Sequence, residues 1–224
     1  MKGKDNMSHK TLFLQQSYED CTRQYMELLE KQKMPLWDYV ILTASNESQA
    51  QSYRMQIQYR LDHGMLPKSI HYAVLPDPDG KRVGSGGATL NVLRYIHQDA
   101  GSFDDKRILV IHSGGDSKRV PQYSACGKLF SPVPRLLPNG RRSTLFDEFM
   151  ISMCGVAARI RAGMLVCSGD VLLLFNPLQI DFYGSGAAAL SIKEPAEVGK
   201  NHGVYRVDEQ GNVGGFLHKK TCLL

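Results

Sequence analysis

RILVIHSGGDSKR, residues 107 to 119, decides the fold. Ile108, Leu109, Val110 and Ile111 follow one another without a polar break, the pattern of a strand buried on both faces of a sheet. Gly114 and Gly115 come directly after it. Residues without a Cβ let the backbone turn sharply and approach a bulky anion, and successive N–H groups in such a turn form a nest for phosphate oxygens. Asp116 and Ser117 continue the turn, Lys118 and Arg119 bring two cations, and Lys128 stands beyond Gly127 on a second turn. A glycine turn with solvated basic residues is the plainer alternative. The strand before the glycines and the Gly-Lys pair after them favour a phosphate loop.

Working outward, the same syllables recur. WDYVILTAS, residues 37 to 45, is a second near-continuous apolar run, and Ser45 or Asn46 is placed to cap a helix that extends to about Leu61. Gly64 and Pro67 close that helix. HYAVL (71 to 75) reads as a short strand, 88 to 98 as helix, 143 to 159 as helix, and MLVCSGD (164 to 170) as strand. Residues 187 to 193 and 203 to 220 read as strands, the latter turning at DEQGN. Upstream, Leu14, Tyr18, Cys21, Tyr25, Leu28 and Leu29 recur at helical spacing over 11 to 34, until Pro35 ends the pattern. Strand and helix in alternation predict an α/β, Rossmann-like fold with a mainly parallel central sheet. Residues 1–36 are expected as an N-terminal helical segment and 37–224 as one domain. Ligands of such sheets sit where the strands end.

Bulk composition narrows the class. The chain has 224 residues, 42% of them hydrophobic and 22% charged, enough to bury one sizeable core. No apolar run reaches the ~18 residues of a membrane span, and MKGKDNMSHKTLFLQQ makes a poor secretion signal. Cytoplasmic residence, with no membrane partner, is the expectation. Cys21, Cys126, Cys154, Cys167 and Cys222 are odd in number and form no CxxC pair, which favours free thiols over zinc or a disulfide framework. The net charge of +5 is dispersed, although Lys118, Arg119, Arg135, Arg141 and Arg142 fall in one region. Aromatic residues do not alternate with the basic ones, so no nucleic-acid partner is expected. Neither GxxxxGK[ST] nor GxGxxG is present.

Two further segments carry chemistry. In VGSGGATLNVL (83 to 93), Gly84, Ser85, Gly86 and Gly87 open a predicted helix, a setting for close contact with a phosphate or base and equally for a plain tight turn. In SGDV (168 to 171), Asp170 leaves the sheet on the same edge as the Gly114 turn. A carboxylate there can hold Mg²⁺ against a triphosphate or simply serve a turn; the two readings are balanced. His112, ending an apolar strand, reads as a satisfied imidazole more readily than as a base. His202, before Gly203, is a weaker candidate for a sugar hydroxyl. Cys126 has no histidine near it in sequence, which argues against a thiolate nucleophile.

GGDSKRVPQYSACGK resembles the signature of sugar nucleotidyltransferases, SGDV their metal-binding aspartate segment, and GVYRVDEQGNVGGFLHKK the hairpin bordering their sugar pocket. More narrowly, WDYVILTASNESQAQSYR, DPDGKRVGSGGATLNVL and HSGGDSKRVPQYSACGKLFSPVP are similar to the GDP-fucose pyrophosphorylase portion of bifunctional fucokinase/fucose-1-phosphate guanylyltransferases, from about Trp37 to Lys219. The resemblance implies a nucleotidyltransferase that joins GMP from GTP, or another nucleoside triphosphate, to a sugar 1-phosphate, fucose 1-phosphate foremost, with release of pyrophosphate and Mg²⁺ as cofactor. It implies catalytic roles for Arg119 and Lys128, and nucleotide binding by Gly84, Ser85, Gly86, Gly87, Gly114, Gly115, Asp116, Ser117 and Lys118. Asn201, His202 and Gly203 would fall near the sugar, and Asp170 would bind the metal. The GSGGAT loop precedes the phosphate loop here, whereas it follows it in the wider superfamily. A second metal carboxylate has no evident candidate. The family pattern continues past the hairpin and, in bifunctional members, into a kinase, so a C-terminally incomplete domain is expected, with a missing half or kinase domain as partner. A nucleotide-binding fragment or split-enzyme subunit without its own activity is the alternative.

Overall fold

The computed structural model describes residues 8–31, 35–113, 123, 127–177, 186–199 and 202–217. The chain divides into two compact units, one ending at Phe182 and the other starting at Tyr183.

The first unit is built on a four-stranded parallel sheet. Its strands are β1 (Tyr39–Ala44), β2 (His71–Pro76), β3 (Arg107–His112) and β6 (Gly163–Ser168), in the order β2-β1-β3-β6. Side chains of a strand alternate between faces, and the two faces carry separate cores. On one, Val40, Leu42, Val74, Leu109, Ile111 and Cys167 pack beneath α1 (His9–Lys31), α2 (Glu47–Asp62) and α4 (Leu145–Ala157). On the other, Tyr39, Ile41, Ala73, Ile108 and Val110 lie under Val92 and Ile96 of α3 (Gly84–Ala100). Burial on both sides explains why β1 and β3 read as unbroken apolar runs. Helix α1 is part of the larger core through Tyr18, Cys21, Tyr25 and Leu28. Among the described residues no helix is long and apolar enough to cross a membrane.

Most elements lie where the sequence places them. RILVIH is β3 to the residue. Asn46 caps α2, its Oδ1 accepting from the Gln49 amide at 2.9 Å, and the Gln49 side chain accepts from the Ser45 amide at 2.8 Å. Three differences have physical causes. Helix α3 starts at Gly84 instead of Ala88: Gly84 enters it at φ +70°, and Gly87 lies so close to Val83 that a Cβ would meet the valine Cβ at 2.7 Å. Residues 187 to 193 form no strand; they are exposed and have no partner strand among the described residues, and an isolated strand has nothing to satisfy its backbone. An unanticipated antiparallel pair, β4 (Pro132–Leu136) and β5 (Arg142–Thr144), precedes α4. Its two prolines disguise it, and its register is irregular.

A buried ion pair fastens the helical layer. Arg60, 4% exposed, donates from Nε to Asp147 Oδ1 (2.7 Å) and from Nη2 to Oδ2 (3.0 Å). Its remaining donors reach the Gln56 carbonyl and side chain and Thr144 Oγ1, and its guanidinium lies 5.0 Å from the Phe130 ring centroid. Asp147 also closes a capping box with Thr144 at the start of α4. One carboxylate therefore joins α2, α4 and the segment around Phe130.

The second unit contains α5 (Ala196–Gly199) and an antiparallel hairpin of β7 (Val204–Val207) and β8 (Val213–Leu217). Asp208 forms its turn, accepting from the amides of Gln210 and Asn212.

Two substitutions test these constraints. Arg60→Ala strands a buried carboxylate, and an expected loss of about 3–5 kcal/mol is measurable by urea denaturation. Gly169 donates its amide to the His112 carbonyl at 2.7 Å, and a Cβ on it would meet that same oxygen at 2.7 Å. Gly169→Ala is expected to cost about 1–3 kcal/mol, and Gly169→Ala should lose more than Gly86→Ala, since a Cβ at Gly86 meets open space.

Candidate functional site

Strand order locates the crevice. From β1 the chain passes to β2 on one side; from β3 it passes to β6 on the other. Connections that leave neighbouring strands in opposite directions open a gap between their carboxyl ends, the usual ligand position in such sheets. Here that position is at the carboxyl ends of β1 and β3, where Thr43 is hydrogen-bonded to His112 and to the Ser113 amide. Gly114, Gly115, Asp116, Ser117, Lys118 and Arg119, which follow Ser113 in sequence, lie outside the described residues, as does Asn201.

On the β6 side of the crevice the structure brings together two residues that are 42 positions apart in sequence. Lys128 Nζ lies 3.3 Å from Asp170 Oδ2. Each has a clear means of support. Lys128 opens a 3-10 turn whose next residues, Leu129 and Phe130, are buried, with Phe130 against the rings of Tyr53 and Phe146. Gly127 holds φ +63° beneath the Tyr53 hydroxyl, where a Cβ would collide. Asp170 follows Gly169, which is pressed onto the end of β3. Ser168 Oγ donates to Asp170 Oδ1 at 2.7 Å. This serine, which the sequence reading passed over, holds the Asp170 carboxyl below its ordinary value; partial burial opposes it and Lys128 adds to it. The carboxylate therefore keeps its charge to a lower pH than an ordinary aspartate.

The glycine-rich start of α3 borders the crevice from the opposite face. Its N-cap, Val83, offers no side-chain acceptor, and its first turn holds no acidic residue, so the leading N–H groups are available to an anion. Ser85 and Gly86 are exposed. His112 links this helix to β1: Nδ1 meets Thr43 Oγ1 at 3.1 Å and Nε2 meets Thr89 Oγ1 at 3.0 Å. Burial pushes the imidazole pKa down, against a smaller opposite pull from Asp77. A neutral ring with both nitrogens engaged is a poor general base. Thr43 left a trace in the sequence as a lone hydroxyl near the end of a buried strand; Thr89 left none.

Asp170 provides one hard, ionised oxygen ligand with its second oxygen already held. Among the described residues no group of three or more His, Cys, Asp or Glu side chains gathers as a metal cage. That donor set fits Mg²⁺ shared with substrate phosphates, which takes only one or two protein carboxylates.

In the second unit His202 is exposed, its amide donating to the Gly199 carbonyl at 3.1 Å. Gly203 lies against the Phe216 ring, where a Cβ would collide.

The cavities among the described residues lie elsewhere. One of about 170 Å³ is walled by α1, the turn after α2 and the β4–β5 turn, with Tyr25, His63 and Pro138 among its lining.

The chain is 33% identical over 198 residues to the bifunctional fucokinase/GDP-fucose pyrophosphorylase of Arabidopsis thaliana, covering 77% of this chain and 19% of that protein. It is 33% identical over 192 residues to the fucose-1-phosphate guanylyltransferase of Mus musculus (83% of this chain, 32% of that protein). With the Homo sapiens protein of the same name it shares 30% over 228 residues (93% and 36%). The chain thus spans between about a fifth and a third of the length of these relatives. No solved structure matches it. Residues 100–222, more than half of the sequence and including both Lys128 and Asp170, match the fucose pyrophosphorylase domain, and the chain belongs to that family.

Proposed function

We propose that this chain binds GTP in the β1–β3 crevice and transfers its GMP moiety to fucose 1-phosphate. A phosphate oxygen of the sugar phosphate attacks the α-phosphorus, the bond to the β-phosphate oxygen breaks, and pyrophosphate leaves. GDP-fucose is the other product. Chemistry of this kind needs positioning and charge compensation more than a protein nucleophile.

The observation that carries the reading is the convergence of Lys128 and Asp170 beside a sheet's switch point; in sequence, Gly114 comes two residues after the end of β3. Lys128 and Arg119 are assigned to the charge on the triphosphate. Gly114 and Gly115 cradle it with their amides, alongside Asp116, Ser117 and Lys118. Gly84, Ser85, Gly86 and Gly87 take the nucleotide from the α3 side. Asp170 is the proposed Mg²⁺ ligand; the bound ion would neutralise phosphate charge. Asn201, His202 and Gly203 are assigned to the sugar. The names of the mouse and human relatives support the choice of guanine nucleotide and fucose. A cytoplasmic setting is part of the proposal, supported by the unbonded thiols of Cys21, Cys154 and Cys167.

The test is pyrophosphate release by the chain with GTP, Mg²⁺ and a panel of sugar 1-phosphates. Lys128→Ala and Asp170→Asn should each lower kcat/KM by roughly 10²-fold or more with little change in thermal midpoint, since both side chains are about one-third exposed. Unimpaired turnover in both variants refutes the assignment. A rise in midpoint with GTP but no pyrophosphate would assign nucleotide binding alone to this chain.

A further inference from the structure

The end of β3 holds a line of hydrogen bonds whose donors and acceptors match throughout when the Thr89 proton goes to the Ser85 carbonyl. Ser113, the residue just before Gly114, donates its amide to Thr43 Oγ1 at 3.2 Å. Thr43 Oγ1 meets His112 Nδ1 at 3.1 Å, and His112 Nε2 meets Thr89 Oγ1 at 3.0 Å. Thr89 Oγ1 then donates to the Ser85 carbonyl at 2.9 Å. Because the Thr89 proton goes to Ser85, its oxygen accepts from His112, so Nε2 carries the ring proton. Nδ1 is then an acceptor and takes the proton of Thr43, a residue 5% exposed whose hydroxyl needs a partner. The opposite tautomer leaves the Thr43 proton without an acceptor among these groups.

Each group is also placed to couple. Thr43 follows Tyr39 and Ile41 on the α3-facing side of β1, and His112 follows Ile108 and Val110 on the same side of β3. Ser85 and Thr89 continue toward the N-terminus the helical face that buries Val92 and Ile96. The apolar half of α3 thus holds the helix on the sheet, and the polar half fastens its first turn. That turn has reason to be fastened. It contains three glycines and no side-chain cap, and glycine is costly to order.

We propose that His112, as its neutral Nε2–H tautomer, is a positioning residue that couples the first turn of α3 to the end of β3, fixing Ser85 relative to Ser113 so that the start of α3 and the end of β3 meet one nucleotide. The inference rests on the nucleotide-binding reading above for its purpose, although not for its geometry. His112 touches no reacting atom in this role; it acts through Thr43 and Thr89.

Three measurements on the full chain decide it. Long-range ¹H–¹⁵N spectra near neutral pH, with the His112 signals assigned through His112→Asn, should show Nε2 protonated and Nδ1 bare; an Nδ1–H tautomer or a freely exchanging mixture overturns the proposal. Thr89→Val, which keeps the shape and removes the hydroxyl, should speed amide exchange in segment 84–90 and also at Ser113, by roughly tenfold for one lost hydrogen bond. Thr89→Ser should restore slow exchange at both. Acceleration confined to 84–90 with Ser113 unmoved overturns the coupling. In titrations with GTP·Mg²⁺, Thr89→Val should weaken binding by a similar factor and Thr89→Ser should not. If the unaltered chain binds no GTP, the function proposed above fails, while the tautomer and exchange results still judge the relay.

Discussion

Strand β3 is the constraint on which the rest depends. Four consecutive apolar side chains, buried on both faces, hold it between β1 and β6, and burial on two sides leaves no tolerance for a register slip. What makes the strand useful is how it stops. A dry strand must hand its last polar groups to something, and here the His112 carbonyl takes the Gly169 amide while the imidazole takes two threonine hydroxyls. The strand end is thereby tied to β6, to β1 and to α3, and every candidate ligand group among the described residues of the first unit sits on one of those tethers or on the 3-10 turn beside them.

The buried ion pair of Arg60 works on the same edge from beneath. Arg60 lies over the ring of Phe130 and pairs with Asp147 at the head of α4, and Phe130 is two residues past Lys128. An arginine with all its donors engaged cannot drift, so the aromatic ring it covers cannot either. The position of the exposed lysine is inherited from a charge that never meets solvent. Removing one partner of such a pair is costly even though the intact pair contributes little net stability. Its value here is geometric.

The sequence disclosed what is local and periodic. β3, the Asn46 cap and the hairpin around Asp208 were legible because a buried run, a capping side chain and a turn each leave a signature within a few residues. Three things were not legible, for separate reasons. The β4–β5 pair hides behind Pro132 and Pro134, which read as loop. The glycines of GSGG read as the approach to a helix at about Ala88, yet the helix begins at Gly84 because a left-handed Gly84 and the contact of Gly87 with Val83 suit that turn. Residues 187 to 193 read as a strand, but a strand is a relation to a neighbour, and a short apolar stretch cannot supply the neighbour. The meeting of Lys128 with Asp170 belongs to the same class, since it follows from β6 lying next to β3, a fact of topology. The acidic residues of the first α4 turn, Asp147 and Glu148, are both buried, held by Arg60 and by Ser143.

Two ion pairs of the first unit differ sharply in exposure. Arg60 and Asp147 have side chains 5% and 7% exposed and a 2.7 Å contact; Lys128 and Asp170 are 31% and 33% exposed and 3.3 Å apart. Water screens the second pair strongly, so little free energy is lost when it parts. On the proposed reading, a divalent cation would meet the aspartate where the lysine ammonium now stands, and a phosphate would meet the lysine where the aspartate stands. A ligand that brings both charges at once would then displace each from the other. A tight pair would resist that exchange, and no pair at all would leave the lysine free to turn away from the crevice; a long, half-wet contact between rigid supports avoids both faults.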